Sequence, residues 1–169
     1  MEQYRLTRLE IDLDVIARNA RLLRARTPAQ AKMMAVVKAD AYGHGAVEVS
    51  RAALANGADA LAVAIPEEGA ALREAGIEAP ILVLGGVNAA GAEAVYDERT
   101  VENLQSAARR LEKSASVHLK IDSGMGRIGV RTEEEARRVL AAIEAAPRVK
   151  LTGAFTHFAT ADETGGEAF

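Results

Sequence analysis

Short apolar runs alternate with amphipathic stretches from residue 9 onward, the pattern of repeated strand–helix units in a parallel sheet. In "LEIDLD" (9–14), Leu9, Ile11 and Leu13 alternate with polar residues and predict a half-buried strand. "VIARNARLLRAR" then predicts a helix with Ile16, Ala20 and Leu23 on one face and Arg24 and Arg26 near its negative end. "KMMAVVK" (32–38) reads as the first buried strand, and "AVEVSRAALAN" as a helix stopped by Gly57. "ALAVAI" (60–65) is the second buried strand. The next helix starts at Pro66, with Glu67 and Glu68 in its first turn and Gly76 past its end. "PILVLGG" (80–86), "SVHLKID" (116–122) and "KLTGAFTHFA" (150–159) read as further strands, the last two separated by the helix "TEEEARRVLAAIEAA".

The interval from 81 to 117 spans 36 residues, too long for one tight unit and too short for two. Helical patterns at "AAGAEAV" and "RTVENLQSAARRLEKS" both fit inside it, leaving only "VYD" for a strand. A very short or missing element is expected there. Repeated βα units lead to an open doubly wound sheet or to a closed (β/α)8 barrel. No phosphate-binding G-x-x-x-x-G-K-[ST] loop follows any strand, which argues against an open sheet of the P-loop kind. The expected fold class is α/β, and the polar residues at the strand ends favour a (β/α)8 TIM-type barrel over an open sheet.

At 169 residues the chain suits one domain with a single core. Its net charge of -3 offers no basic footprint for nucleic acid. Absence of cysteine excludes disulfides and thiolate metal sites, and His44, His118 and His157 show no metal-ligand spacing. The first twenty residues lack the apolar centre of a secretory signal, and no run approaches the ~20 apolar residues of a membrane span. A soluble, cytoplasmic protein without metal is expected.

Polar residues gather at the expected strand ends, where barrels keep their chemistry. Lys38 ends "MAVVK", with Tyr42, Gly43 and Gly45 close behind. Partial burial would disfavour its ammonium form and let the amine attack a carbonyl. A lysine snorkelling from the core into solvent fits the same position. In "VHLKIDSGMGRIGV", alternation puts His118, Lys120 and Asp122 on one face. An inward lysine needs neutralising, by Asp122 or by chemical modification. The glycine-rich turn then presents Arg127, a planar fork suited to a carboxylate, or simply a solvated arginine. His157 lies late in an apolar strand with Phe155 and Phe158 nearby. His44 and His118 receive no chemistry, and Asp162 and Glu163 are assigned to a loop.

Taken in order and spacing, "AVVKADAYGHG", "ILVLGG", "HLKIDSGMGRIGV" and "GAFTHFATADE" resemble the amino-terminal barrel of bacterial alanine racemases. That resemblance implies a pyridoxal 5′-phosphate enzyme interconverting L- and D-alanine for cell-wall precursors by a two-base mechanism. It implies that Lys38 holds the cofactor as a Schiff base and serves as one base, and that Tyr42 bonds the cofactor phosphate. Lys120 matches a lysine that is commonly carbamylated and would then face Arg127. Arg127 matches the arginine contacting the cofactor's phenolic oxygen and the substrate carboxylate, while His157 and Leu84 lie near the ring. The second base would be a tyrosine from the carboxy-terminal domain of a partner subunit, which implies a homodimer for the complete protein. By this resemblance residues 1–169 are expected to be a partial cofactor-binding (β/α)8 barrel, incomplete in this chain, with about the first six strands and the fourth short or missing. They would be a fragment without the carboxy-terminal β domain and with little or no turnover alone. Alternatives are a racemase for serine or another small amino acid, and a non-catalytic single-domain pyridoxal-phosphate carrier.

Overall fold

The computed structural model describes residues 8–85 and 93–161. The chain divides into two units, one from its start to Val63 together with Glu68–Ile81, the other from Ala64–Glu67 together with everything from Leu82 on.

The first unit carries helix α1 (Leu13–Arg26), strand β1 (Met34–Val36), a single turn α2 (Lys38–Gly43), helix α3 (Ala46–Ala55), strand β2 (Ala60–Val63) and most of helix α4 (Pro66–Glu74). The strand expected over "LEIDLD" does not form. Leu9 is 75% exposed, and Asp12 instead caps α1, its carboxylate accepting from the Asp14 and Val15 amides at 3.0 and 3.1 Å. β1 and β2 pair in parallel, Met34 opposite Ala60 and Val36 opposite Ala62. Leu61, Val63, Val37 and Leu72 are fully buried within a core otherwise built largely from alanines. Each such Val or Leu contributes about 1.5–3 kcal/mol by leaving water. Arg24 does more than sit on a helix dipole. Its guanidinium donates to the carbonyls of Thr27, Pro28 and Ala31, and a Cβ on Gly57 (φ +111°) would lie 2.6 Å from its Cγ.

The second unit carries β3 (Ile81–Val83, from Leu82 on), β4 (Glu93–Val95), α5 (Glu98–Arg110), β5 (Ala115–Lys120), α6 (Glu133–Glu144) and β6 (Val149–Phe155). All pairings among these strands are parallel. The helical pattern over "AAGAEAV" ends in strand rather than helix at Glu93–Val95, and its earlier part lies outside the described residues. β4 is three residues long, as short as expected, but it lies two residues earlier than "VYD" and shares only Val95 with it. Asp97 caps α5 through the Thr100 amide at 2.7 Å. Thr132 and Glu135 form a reciprocal capping box on α6. Val95, Leu104, Val117, Leu119, Val139 and Val149 make one apolar core with the helices.

The β5–β6 ladder holds an irregularity that alternation alone does not signal. Val117 lies opposite Leu151, but His118 lies opposite Gly153, so Thr152 is an unpaired bulge residue whose hydroxyl donates to the Val117 carbonyl at 3.2 Å. Gly153 and Phe155 are thereby moved to the face of His118 and Lys120. Without the bulge they would continue the face of Val149 and Leu151.

Candidate functional site

Lys38 follows directly on Val37, whose amide donates to the Ala62 carbonyl at 2.8 Å. From there the backbone turns the wrong way round. Ala39, Asp40, Ala41 and Tyr42 all take left-handed conformations, with φ between 50° and 57°. At about 1–2 kcal/mol per L-residue, the turn stores roughly 4–8 kcal/mol that the surroundings must offset. The offsets are visible. Ala39 N–H donates to Glu68 Oε1 at 2.7 Å, Asp40 Oδ1 accepts from the Ala46 amide at the start of α3 at 2.7 Å, and Ala41 N–H donates to the Val37 carbonyl at 2.9 Å. His44 Nδ1 lies 2.9 and 3.1 Å from the carbonyls of Ala41 and Tyr42, two acceptors, so this nitrogen carries the ring proton. Lys38 is half-buried and its Nζ stands 6.0 Å from the centroid of the Tyr42 ring, which is 61% exposed. Sequence reasoning missed Glu68, Asp40 and His44 because each acts on backbone rather than on a recognisable partner.

In the second unit, Lys120 ends β5 with 3% exposure. Its Nζ donates to the Ile121 carbonyl at 3.0 Å and lies 5.0 Å above the Phe155 ring. Burial pushes its pKa below the ordinary 10.5, and the Arg127 charge adds to that; Asp122 pulls the other way. His118, on the same face, packs over Gly153, where a Cβ would meet the imidazole at 3.0–3.2 Å.

Asp122 does not pair with Lys120. Its Oδ1 accepts the amides of Gly126 and Gly124 at 2.9 and 3.2 Å, and its Oδ2 the Arg131 Nε at 3.1 Å. These bonds, led by that from Gly126, hold its carboxyl below the usual range. Asp122 and Val130 close the loop's mouth, Asp122 N–H to Val130 O and Val130 N–H to Lys120 O, both at 2.9 Å. Arg127 is exposed on this loop and lines a cavity of about 380 Å³ with Tyr96, Arg131, Glu135 and Arg138. Among the described residues its guanidinium has no ion pair.

Of the remaining predicted residues, Leu84 is half-buried just past β3, and His157 is exposed just past β6. Ser123 and Thr156 share a hydroxyl hydrogen bond of 2.5 Å that ties the Arg127 loop to the segment bearing His157. Lys38 and Tyr42 belong to the first unit, and Leu84, Lys120, Arg127 and His157 to the second. Asp162 and Glu163 lie outside the described residues. No helix among the described residues is long and apolar enough to cross a membrane.

A family model described as alanine racemase, N-terminal domain, matches residues 11–169. The chain belongs to the alanine racemase family. It is 49% identical to alanine racemase 1 of Bacillus subtilis strain 168, the match covering 95% of this chain and 43% of that protein. To the alanine racemase of Geobacillus stearothermophilus it is 48% identical, over 98% of this chain and 45% of the relative. Among solved structures, alanine racemase from Bacillus anthracis with bound L-Ala-P superposes with a TM-score of 0.87 at 39% identity, over 97% of this chain and 45% of that one. A histidine racemase from Leuconostoc mesenteroides superposes at 0.84 with 26% identity, covering 90% of this chain and 43% of its own. The chain thus spans less than half the length of these relatives. Its fold is the barrel-type fold of the alanine racemase amino-terminal domain.

Proposed function

We infer that these residues are the pyridoxal 5′-phosphate-binding part of a cytoplasmic alanine racemase, an isomerase supplying D-alanine for peptidoglycan. In this reading the chain contributes about six strands of an eight-stranded barrel whose complete protein is a homodimer, with a β domain beyond the barrel. Membership of the racemase family supports the reaction class. The observation that carries the site is Lys38 on a left-handed turn secured by Glu68, Asp40 and His44. Stored backbone strain of this kind persists where surroundings over-determine it, and it concentrates at working sites.

The donor set fits the cofactor. A primary amine is what captures an aldehyde, a phenol on the same turn suits a phosphate oxygen, and an exposed guanidinium suits a phenolate or carboxylate. When bound, the cofactor would delocalise the electron pair left at the substrate α-carbon. Lys38 Nζ would hold the cofactor and then take or return the α-proton on one face, racemisation needing a second base on the other. Tyr42 would donate to the phosphate, Arg127 would orient the substrate carboxylate, and Leu84 and His157 would flank the ring. Lys120 is nearly stripped of water, and its lowered pKa raises the share of neutral amine, which would add carbon dioxide to form an N–COO⁻ group and release one proton. That converts a buried cation into an anion facing Arg127.

Incubation with pyridoxal phosphate, borohydride reduction and peptide mass spectrometry should place the label on Lys38; label elsewhere, or none, overturns the cofactor assignment. A coupled assay for D-alanine then tests the substrate. The likeness to a histidine racemase favours one second reading, the same barrel serving a different amino acid. Turnover of that amino acid in preference to alanine would establish it.

A further inference from the structure

The loop from Ser123 to Gly129 sets a physical problem. Gly124, Gly126 and Gly129 all have positive φ, of +132°, +69° and +129°, so the segment is intrinsically loose and loses much chain entropy on ordering. Arg127 at its tip has no ion pair among the described residues to hold it. While Lys120 is unmodified, the placement of Arg127 therefore depends on the backbone that carries it. That backbone is fastened from inside by one side chain. The Asp122 carboxylate is 2% exposed and uses both oxygens, Oδ1 on the amides of Gly124 and Gly126 and Oδ2 on Arg131 Nε. Gly126 immediately precedes Arg127, and Arg131 lies just beyond Val130, so the carboxylate joins the two limbs of the loop.

We propose that Asp122 is the positioning residue for Arg127, its buried carboxylate fixing the 123–130 loop so that the guanidinium is presented to an anionic ligand. The ligand half of this statement rests on the cofactor reading of Arg127. The mechanical half does not. A carboxylate serves better than any neutral group here, because three N–H donors converge on it and one of them is cationic. The same use of its lone pairs explains why it leaves the neighbouring Lys120 unpaired.

The test compares Asp122→Ala and Asp122→Asn with Arg127→Ala, each combined in a double mutant, in the protein with and without pyridoxal phosphate. In the ligand-free protein, amide exchange across 123–130 should accelerate about tenfold in Asp122→Ala while α5 and β5 keep their protection. Unchanged exchange in the loop overturns the proposal. Titration with pyridoxal phosphate should show about ten- to hundredfold weaker binding for Asp122→Ala, the range met when a group that orients a ligand-binding side chain is removed. That loss should vanish in the Arg127→Ala background; a loss that persists there shows a merely structural role and overturns the proposal. Should Asp122→Ala fail to fold, Asp122→Asn, which keeps one acceptor oxygen, must show the same coupling to Arg127 at smaller size. If Arg127→Ala alone leaves affinity intact, the cofactor reading of Arg127 fails, and loop exchange still decides whether Asp122 holds the loop.

Discussion

Lys120 and Asp122 share one face at the end of β5, two residues apart, yet their charges do not meet. Asp122 turns its oxygens toward Gly124, Gly126 and Arg131, and Lys120 is left with a carbonyl and the face of Phe155. A buried ammonium without a carboxylate opposes folding as long as it keeps its proton.

Lys120→Met should therefore be neutral or stabilise the unmodified protein by about 1 kcal/mol near neutral pH. Because the folded-state pKa lies below the ordinary 10.5, the penalty is present under neutral conditions and fades as pH rises toward and past that value. The advantage of methionine should shrink accordingly. Urea midpoints for both proteins at neutral and alkaline pH, in buffer depleted of carbon dioxide, measure this. A clear loss of stability at neutral pH would show that the lysine is well satisfied as it stands.

Acid should act through a different pair. Asp122, mainly through the Gly126 amide, and Glu135, mainly through the Arg131 amide, are both held below their ordinary values of 3.8 and 4.5. Groups with depressed pKa values contribute stability above the unfolded values and lose it as pH falls through the folded ones. Unfolding free energy should thus hold near pH 5 and fall below about pH 4. Asp122→Asn should flatten part of that fall, as measured by urea titration across the acid range.

Two glycines of the same loop should answer differently to alanine. A Cβ at Gly129 would sit 2.6 Å from the Asp122 nitrogen and 2.8 Å from the Ile121 carbonyl carbon, against backbone that cannot move aside cheaply. Gly129→Ala should lower stability by about 3 kcal/mol or more, combining positive φ with overlap. Gly126, with φ +69° and no atom near its added Cβ, should lose only about 1 kcal/mol. Equal melting temperatures for the two variants would contradict this.

The turn after β1 gives a pair of opposite sign. Ala39 is exposed at φ 50°, so Ala39→Gly should stabilise by about 0.5–1 kcal/mol. Asp40→Ala removes the acceptor for the first amide of α3 and should cost about 1 kcal/mol. Thermal unfolding of the two variants supplies the comparison.

These same places mark where the sequence was readable. α3, α5, α6 and the buried strand β2 follow their periodicities because burial sets both the pattern and the structure, whereas β1, read as buried, leaves Met34 and Val36 each 41% exposed. "LEIDLD" misled because Asp12, read as the polar partner in an alternation, acts as a cap. The left-handed turn left no trace, since its positive φ values fall on Ala, Asp, Ala and Tyr rather than on glycine. The alternation that placed Lys120 and Asp122 on one face could not tell that the acid would bond backbone instead of the base. Lys38 stood out in the sequence, while Glu68, which braces its turn at Ala39 from 29 positions away in the chain, did not.

The bulge at Thr152 has a consequence for how this protein can diversify. It splits β6 into two segments that answer to different demands: before it Val149 packs into the helix-lined core, and after it Gly153 and Phe155 share the face of His118 and Lys120. A substitution in one segment need not be compensated in the other. A single extra residue thus lets the wall around Lys120 be rewritten while the interior that keeps the chain folded stays as it was.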